Sequence, residues 1–185
     1  MASVELSAEG AARELEPYAD LISVAAINGP VSTILSGDRD AMRELLATLQ
    51  QRGVFCRLVR VDFASHGPQV EPLRQPLLDR LQHLAPRAGS VPMYSTVVQE
   101  PLDGSGLDAD YWARNLREPV YFGPVIEKLL ADGPTLLVEI SPHPILTRGC
   151  ASTSTGRTAT ASRWVPPAAT SPSPRPSSTR WPRST

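Results

Sequence analysis

Residues 21–38 read LISVAAINGPVSTILSGD and contain two apolar, partly β-branched runs separated by the turn residues Asn28-Gly29-Pro30. Two such runs on either side of a turn predict a β-hairpin, with strands over Leu21–Ile27 and Val31–Ser36. Asp38 follows the second run and can cap a helix, because its carboxylate accepts hydrogen bonds from free backbone N–H groups. The stretch therefore predicts a strand, a turn, a second strand and the start of a helix.

The segments on both sides of this hairpin extend the pattern. Upstream, Ser3–Leu6 predicts a short strand, and Ser7 is a suitable cap for the helix that follows. Downstream, the second helix ends at Gly53, which suits a left-handed position, and Phe55–Val61 alternates like a half-buried strand. The order β-α-β-β-α-β is that of a ferredoxin-like fold. We expect residues 1–61 to form a four-stranded antiparallel sheet with two helices on one face.

Beyond this unit, strand and helix patterns alternate. They predict an amphipathic helix over Gln69–Leu84, a strand over Pro92–Val98, helices over Asp110–Leu116 and Gly123–Ala131, and a buried strand over Thr135–Ile140. Two prolines, Pro72 and Pro76, favour the later part of the first helix. These elements are too few to complete an α/β sheet. Residues 62–148 are therefore expected to be an incomplete part of a larger unit.

The last segment, residues 149–185, differs in composition from the rest of the chain. It consists mainly of Ser, Thr, Pro, Arg and Ala, and Val165 is its only aliphatic residue larger than alanine. Such a segment buries too little apolar surface to offset the entropy of ordering, so it is expected to be disordered. Two explanations remain open, a natural linker and a frameshifted continuation of a GC-rich gene. The abrupt end of the structured pattern favours the frameshift.

Composition excludes several classes of function. The net charge of −1 gives no reason to expect nucleic acid or an anionic membrane as a partner. No apolar run reaches the roughly 20 residues of a membrane span, and the N-terminus does not read as a signal peptide, so we expect a cytoplasmic protein. Cys56 and Cys150 are far apart and lack neighbouring ligand pairs, which predicts neither a disulfide framework nor a metal site.

Several short motifs occur in a fixed order between about Leu21 and Leu146. They read AAINGP with a following SG, VDFASHGPQ, YST, YWARNLR with PV and F, and EISPHP with a following L. Together they resemble the acyltransferase domain of type I modular polyketide synthases, the malonyl/methylmalonyl-CoA:acyl carrier protein transacylase. The resemblance implies an α/β (α+β) fold. Residues 1–61 would be its ferredoxin-like small subdomain and residues 62–148 an incomplete, C-terminal piece of its α/β-hydrolase-like large subdomain.

The resemblance also implies a chemistry. The family moves a (methyl)malonyl extender unit from coenzyme A to the phosphopantetheine thiol of an acyl carrier protein, in polyketide and fatty-acid-type biosynthesis, without a bound cofactor or metal. A serine in a Gly-His-Ser-x-Gly turn is its nucleophile, and the match places its general base at His66. No Gly-x-Ser-x-Gly occurs in this sequence. The expected partners are the carrier protein, other synthase domains and a serine-bearing half of the domain.

Substrate preference is implied by the residues before the histidine. In the family, Tyr-Ala-Ser-His accompanies methylmalonyl units and His-Ala-Phe-His accompanies malonyl units. This chain has Phe63, Ala64 and Ser65 at these positions. Ser65 is small enough to leave room for an α-methyl group, which favours methylmalonyl. Phe63 departs from the tyrosine, and one methyl group is worth only about 1–3 kcal/mol of discrimination.

Three interpretations of the chain follow. It is a broken enzyme that is inactive alone, one half of a split acyltransferase completed by a neighbouring chain, or a non-catalytic module that docks a carrier protein. A backbone carbonyl near His143 is the expected orienting group for His66. Trp112 and Arg117 are expected to be a packed aromatic residue and a helix-end ion pair rather than a ligand clamp.

Overall fold

The computed structural model of the protein describes residues 1–59, 61, 63–133, 135–140 and 146, and the backbone of 159–163. The first part of the chain contains β1 (Ala2–Val4), α1 (Ala8–Leu15), a one-turn 3-10 helix (Glu16–Tyr18), β2 (Ile22–Gly29), β3 (Ser32–Gly37), α2 (Arg39–Gln51) and β4 (Cys56–Leu58). Its four strands form one sheet in the order β2-β3-β1-β4, and every neighbouring pair is antiparallel.

Both helices of this unit pack on the same face of the sheet. A single apolar cluster contains Leu15 of α1, Leu45 and Leu49 of α2, and Ile22 and Leu35 of the sheet. Burial of such side chains contributes about 1.5–3 kcal/mol each, which makes this cluster the main source of stability of the unit. The element order and the antiparallel pairing that the sequence predicts are observed. Only β4 is much shorter than expected, with three residues instead of Phe55–Val61.

The helix ends form as the sequence predicts. The Ser7 hydroxyl accepts a hydrogen bond from the backbone N–H of Gly10 at 3.1 Å. One carboxylate oxygen of Asp38 accepts hydrogen bonds from the N–H groups of Ala41 and Asp40, at 3.0 and 2.9 Å. These bonds favour the ionised carboxylate and lower the pKa of Asp38. Gly53 follows α2 with a φ of +78°, the left-handed conformation that glycine adopts without steric cost.

The described residues of the second part of the chain contain three further α-helices, two 3-10 helices and four short strands. In order they are a 3-10 segment (Pro68–Leu73), α3 (Arg74–Leu81), β5 (Met93–Tyr94), β6 (Pro101–Leu102), a short 3-10 turn (Gly104–Gly106), α4 (Ala109–Arg117), α5 (Phe122–Ala131), β7 (Thr135–Glu139) and β8 (Ala159–Arg163). Strands β5 and β6 pair in antiparallel fashion, whereas β7 and β8 are parallel.

One residue between α4 and α5 joins this part to the first sheet. The N–H of Val120 donates to the carbonyl of Ala25 at 2.9 Å, and its carbonyl accepts from the N–H of Ile27 at 2.8 Å. Val120 therefore pairs with β2 like a short parallel strand. Through this contact, the end of α4 is held against the hairpin.

The long helix predicted over Gln69–Leu84 is not formed. A 3-10 segment precedes α3, and α3 ends at Leu81 and contains no buried residue. Pro72 lies inside the 3-10 segment and lacks the N–H that an α-helix would use, which accounts for the shortening. The terminal leucines of the predicted apolar stripe, Leu73 and Leu84, remain exposed.

The strand predicted over Pro92–Val98 is limited to two residues. The buried Ser95 hydroxyl accepts hydrogen bonds from the N–H groups of Val97 and Val98, at 3.1 and 3.3 Å. These bonds turn the backbone away from an extended conformation, as serine side chains often do. Gln99 then adopts a positive φ of 59° and completes the turn.

A strand lies within the segment that was predicted to be disordered. β8 pairs with β7 in parallel from Thr135↔Ala159 to Glu139↔Arg163. These five positions of the segment expected to be disordered therefore form a strand. Strand pairing requires only backbone N–H and C=O groups, and β7 offers an open edge. The rest of residues 149–185 lies outside the described residues.

The outer face of β7 is apolar and open to solvent. Leu136, Val138 and Ile140 alternate along the chain and are 66%, 49% and 80% exposed. The intervening Leu137 packs on the opposite face against Ile126 and Leu130 of α5. The strand thus has apolar residues on both faces, a pattern typical of strands covered on both sides. In the described part of the chain, no helix is long and apolar enough to cross a membrane.

Candidate active site

His66 lies on the loop between β4 and the 3-10 segment, in an unusual backbone conformation. Its φ is +58°, in the left-handed region that non-glycine residues rarely adopt. The N–H of His66 donates to the carbonyl of Leu116 at 3.0 Å, and the His66 carbonyl accepts from the Ser23 hydroxyl at 2.9 Å. Such a conformation costs about 1–3 kcal/mol and persists only where surrounding contacts hold it. Here both backbone groups are held.

The imidazole of His66 is oriented by a backbone carbonyl. Its Nδ1 lies 2.8 Å from the carbonyl oxygen of Glu118, and the side chain is half-buried. A carbonyl can only accept, so Nδ1 carries the hydrogen and, in the neutral ring, Nε2 carries the lone pair. Nε2 is therefore available as a proton acceptor. The carbonyl near His143 that was expected to orient the ring lies outside the described residues.

The position of the Glu118 carbonyl follows from the sequence around the end of α4. Pro119 disfavours a helical conformation at the residue before it, and Glu118 is extended, with φ −79° and ψ 157°. Its carbonyl therefore leaves the helix direction. The Glu118 carboxylate accepts two hydrogen bonds from Arg114, at 2.8 and 3.1 Å. Pro119 thus restricts the backbone of Glu118, and Arg114 holds its side chain.

Arg117 and Trp112 have the structural roles that the sequence suggests. Arg117 forms an ion pair with Glu71 at 3.3 Å, which ties α4 to the 3-10 segment after His66. Trp112 donates its indole N–H to the Leu107 carbonyl at 3.1 Å and packs edge-on against Tyr111. Both side chains are used in contacts within the chain, which argues against a ligand clamp.

The loop after His66 is closely fitted to the hairpin. The Gln69 side chain donates to the carbonyl of Leu21 at 2.9 Å. A Cβ at Gly67 would lie 2.8 Å from Oε1 of Gln69 and 3.2 Å from the Ser23 hydroxyl. Gly67 therefore allows a close approach of the loop to β2.

The three residues before His66 differ in exposure. Phe63 is 68% exposed, whereas Ala64 and Ser65 are half-buried. The Ser65 hydroxyl lies 3.9 Å from Sδ of Met1. The chain brings these residues next to the histidine, but their geometry alone assigns no substrate contact to them.

Ser105 and Cys56 are two further groups that could carry a nucleophile. Ser105 lies in a short 3-10 turn (Gly104–Gly106) between the two-residue strand β6 and α4, which begins only at Ala109, so it is not at a direct strand-to-helix turn. Burial raises the pKa of the Cys56 thiol, which therefore stays protonated near neutral pH. Neither group has the setting of an activated nucleophile. Among the described residues, no cluster of three or more His, Cys, Asp or Glu side chains is suited to a metal ion.

The comparison with known proteins assigns the family. The family model described as "Acyl transferase domain" matches residues 1–171. The chain belongs to the acyl transferase domain family. Polyketide synthase GfsE of Streptomyces halstedii is 46% identical over 149 residues, which are 80% of this chain and 4% of that protein. This acyl transferase domain chain thus spans a small fraction of the curated relatives it matches.

Solved acyltransferase domains have the same fold. The acyltransferase domain from module 8 of the salinomycin polyketide synthase aligns with a TM-score of 0.85 and 41% identity, over 88% of this chain and 39% of that one. The acyltransferase domain of SpnD, in complex with 2-(pent-4-yn-1-yl)malonyl, aligns with a TM-score of 0.78 and 27% identity, over 91% of this chain and 41% of that one. The matched relatives therefore contain more residues than this acyl transferase chain supplies.

Two residues of the site were missed by sequence reasoning. Ser23 was assigned only to a buried strand, and Glu118 was a variable position inside a motif. No sequence pattern marks Ser23 as part of the site, because His66, which it contacts, is 43 residues away. Glu118 could have been recognised, since Pro119 restricts its backbone and turns its carbonyl out of the helix.

Proposed function

We propose that this chain is the histidine-bearing part of a polyketide synthase acyltransferase domain, with His66 as general base. The observation that carries the proposal is the hydrogen bond from Nδ1 of His66 to the Glu118 carbonyl, which leaves Nε2 free to accept a proton. In this proposal, residues 1–61 are the ferredoxin-like small subdomain, residues 62–148 are part of the large subdomain, and residues 149–185 are a tail.

The proposed reaction has two acyl transfers and uses no cofactor. In the first, Nε2 accepts the proton of a serine hydroxyl, the serine oxygen attacks the thioester carbonyl, and the C–S bond to coenzyme A breaks. The histidine returns the proton to the departing sulfur. In the second, it takes the proton of the phosphopantetheine thiol on the carrier protein, the sulfur attacks the acyl-serine carbonyl, the C–O bond to the serine breaks, and the histidine returns the proton to the serine oxygen. Imidazole suits both steps because its ordinary pKa is close to neutral.

The serine of this reaction has no counterpart in the chain. The sequence contains no Gly-x-Ser-x-Gly, and Ser65 adjoins the base itself rather than facing it from a strand-to-helix turn. We therefore propose that the chain is inactive alone and that the nucleophile and the oxyanion-binding groups come from a separate segment. A preorganised oxyanion donor alone contributes about 10²–10³ in rate, so a histidine without these groups does not support turnover.

Phe63, Ala64 and Ser65 are the proposed determinants of the extender unit. The small Ser65 side chain is compatible with the α-methyl group of methylmalonyl, and the alanine beside it adds little bulk. The expected preference over malonyl is small, about 1–3 kcal/mol, because it rests on one methyl group.

The split-enzyme interpretation has a specific observation in its favour. The exposed apolar face of β7, formed by Leu136, Val138 and Ile140, is suited to being covered by another part of an acyltransferase domain. A non-catalytic module that docks a carrier protein would not need this face to be apolar. We therefore favour completion by a serine-bearing segment over docking without chemistry.

Mass spectrometry of acylation tests the proposed function. The purified chain is mixed with labelled methylmalonyl-coenzyme A, with and without the separately produced serine-bearing segment of a related acyltransferase domain. We expect no covalent adduct on this chain in either mixture. An acyl-serine adduct should appear on the added segment, faster than on that segment alone. A stoichiometric adduct on this chain alone would contradict the proposal, and a segment that gains no rate from this chain would favour the broken-enzyme interpretation.

A further inference from the structure

We infer that Ser23 is a positioning residue that fixes the orientation of His66. The use of this orientation in catalysis rests on the proposed function, in which His66 is the general base. The observation is a single hydrogen bond across the fold. The Ser23 hydroxyl, near the open end of the hairpin, lies 2.9 Å from the carbonyl oxygen of His66, and the two residues are 43 positions apart in sequence. No other described side chain donates a hydrogen bond to that carbonyl.

The direction of this bond follows from the groups available. The Ser23 hydroxyl has one hydrogen, and its two nearby acceptors are the carbonyls of His66 at 2.9 Å and Ser36 at 3.5 Å. The shorter contact has the better geometry for a hydrogen bond between oxygen atoms, so the hydrogen is donated to His66. The hydroxyl is thus committed to the loop rather than to its own sheet.

The bond acts on a strained residue. His66 has a positive φ, and its N–H and carbonyl are held by two different elements, the end of α4 and β2. The imidazole then meets the Glu118 carbonyl at 2.8 Å, only two residues beyond Leu116. If the His66 carbonyl is released, the backbone can relax to a less strained conformation and the ring is no longer aimed at Glu118. Ser23 therefore acts on the base through its backbone, without contact to the reacting atoms.

The chain contains a matched control for this role. Ser36 is paired directly with Ser23 across the two strands and is fully buried. Its hydroxyl has no hydrogen-bond partner in the described part of the chain. Ser36→Ala therefore removes the same atom from the same pair of strands without removing a bond to His66. Loss of an unpaired buried hydroxyl is nearly neutral or stabilising.

The test is the tautomer of His66, measured by nitrogen-15 NMR on the full chain with His66→Gln for assignment and His83 as an internal reference. In the wild type and in Ser36→Ala we expect the Nδ1–H form to predominate. Ser23→Thr, which retains a hydroxyl, should preserve it. In Ser23→Ala, the excess of the Nδ1–H form should fall at least twofold, toward the mixture shown by a solvated histidine.

A fourth variant keeps the test decisive if Ser23→Ala does not fold. Ser23→Cys is similar in shape but is a weaker donor, and it should give an intermediate tautomer ratio. Equal ratios in the serine, cysteine and alanine forms, or the same loss in Ser36→Ala, would overturn the inference. The measurement needs no acyl transfer, so failure of the proposed function would not affect its outcome. Conversely, a tautomer insensitive to Ser23 would leave the role of His66 as base unaffected.

Discussion

Replacement of Gly37 by alanine should destabilise the sheet that supports the site. Gly37 ends β3 and pairs with Ile22 of β2. A Cβ at this position would overlap the carbonyl oxygen of Leu21 and lie 2.6 Å from the Cα of Ile22. Both neighbours are backbone atoms, so no side-chain rotation relieves the contact. The start of β2 would have to move away from β3.

The size of the effect can be worked from the bonds that this movement affects. The Leu21 carbonyl accepts hydrogen bonds from the Asp38 N–H and the Gln69 side chain, both at 2.9 Å. Overpacking of a well-fitted contact costs about 1–3 kcal/mol, and each weakened hydrogen bond about 0.5–1.5 kcal/mol. We therefore expect Gly37→Ala to lower the free energy of unfolding by about 2–6 kcal/mol.

Urea denaturation followed by circular dichroism measures this loss. Gly89→Ala is the control, because a Cβ at Gly89 would meet only the Val91 carbonyl oxygen at 3.7 Å, an ordinary contact. The control should change stability by less than about 1 kcal/mol, in either direction. If Gly37→Ala unfolds at the same urea concentration as the wild type, the close approach of β2 and β3 described above is not present in solution.

Three further changes have defined outcomes. Leu49→Ala empties a fully buried position of the core and should cost about 2–5 kcal/mol by urea denaturation, whereas Leu49→Met should cost less than about 1.5 kcal/mol. Asp38→Asn tests the helix cap. Because the pKa of Asp38 is lowered in the folded state, its ionised carboxylate stabilises the fold fully above the unfolded-state pKa of about 3.9, and this stabilisation is lost as pH falls through the folded-state pKa. The free energy of unfolding of the wild type should therefore fall more steeply with acid than that of the variant. Arg117→Ala breaks an exposed ion pair with Glu71 and should change the free energy of unfolding by less than about 1 kcal/mol. A much larger loss of unfolding free energy would contradict a surface role for this ion pair.

The parts of the fold that local chemistry determines could be predicted from the sequence. The hairpin has β-branched runs and a turn, and the caps at Ser7 and Asp38 and the left-handed Gly53 depend on single residue types. Each of these signals acts within a few residues, so the sequence is sufficient to predict the element order of residues 1–58. The strand order is less direct, because only β2 and β3 are both consecutive and adjacent, while β1 lies between β3 and β4 as the ferredoxin-like arrangement requires.

The errors arose where a periodic pattern competed with a local interaction. The leucine stripe after His66 predicted a long helix, but Pro72 and the lack of a buried position on α3 limit it. The Val97 and Val98 pair predicted a strand, but the Ser95 hydroxyl binds their N–H groups. In both cases hydrophobic spacing gave the wrong length, because it contains no information on which backbone groups are already satisfied.

For the proposed site, the sequence suggests a residue type but not a geometry. The motif around His66 points to a histidine base, whereas its orientation depends on the Glu118 carbonyl and the Ser23 hydroxyl, from distant segments. A backbone carbonyl has no residue identity of its own, so sequence patterns cannot select it. Only the folded chain shows which of the many carbonyls reaches Nδ1.

The most direct test of the account is the dependence of acyl transfer on His66. The serine-bearing segment of a related acyltransferase domain is fused upstream of this chain, and acyl-serine formation from methylmalonyl-coenzyme A is followed by mass spectrometry. His66→Ala should slow the reaction by about 10²–10⁴, the usual contribution of general base catalysis, while His83→Ala leaves it unchanged. Equal rates in the two variants would contradict the assignment of His66 as the base.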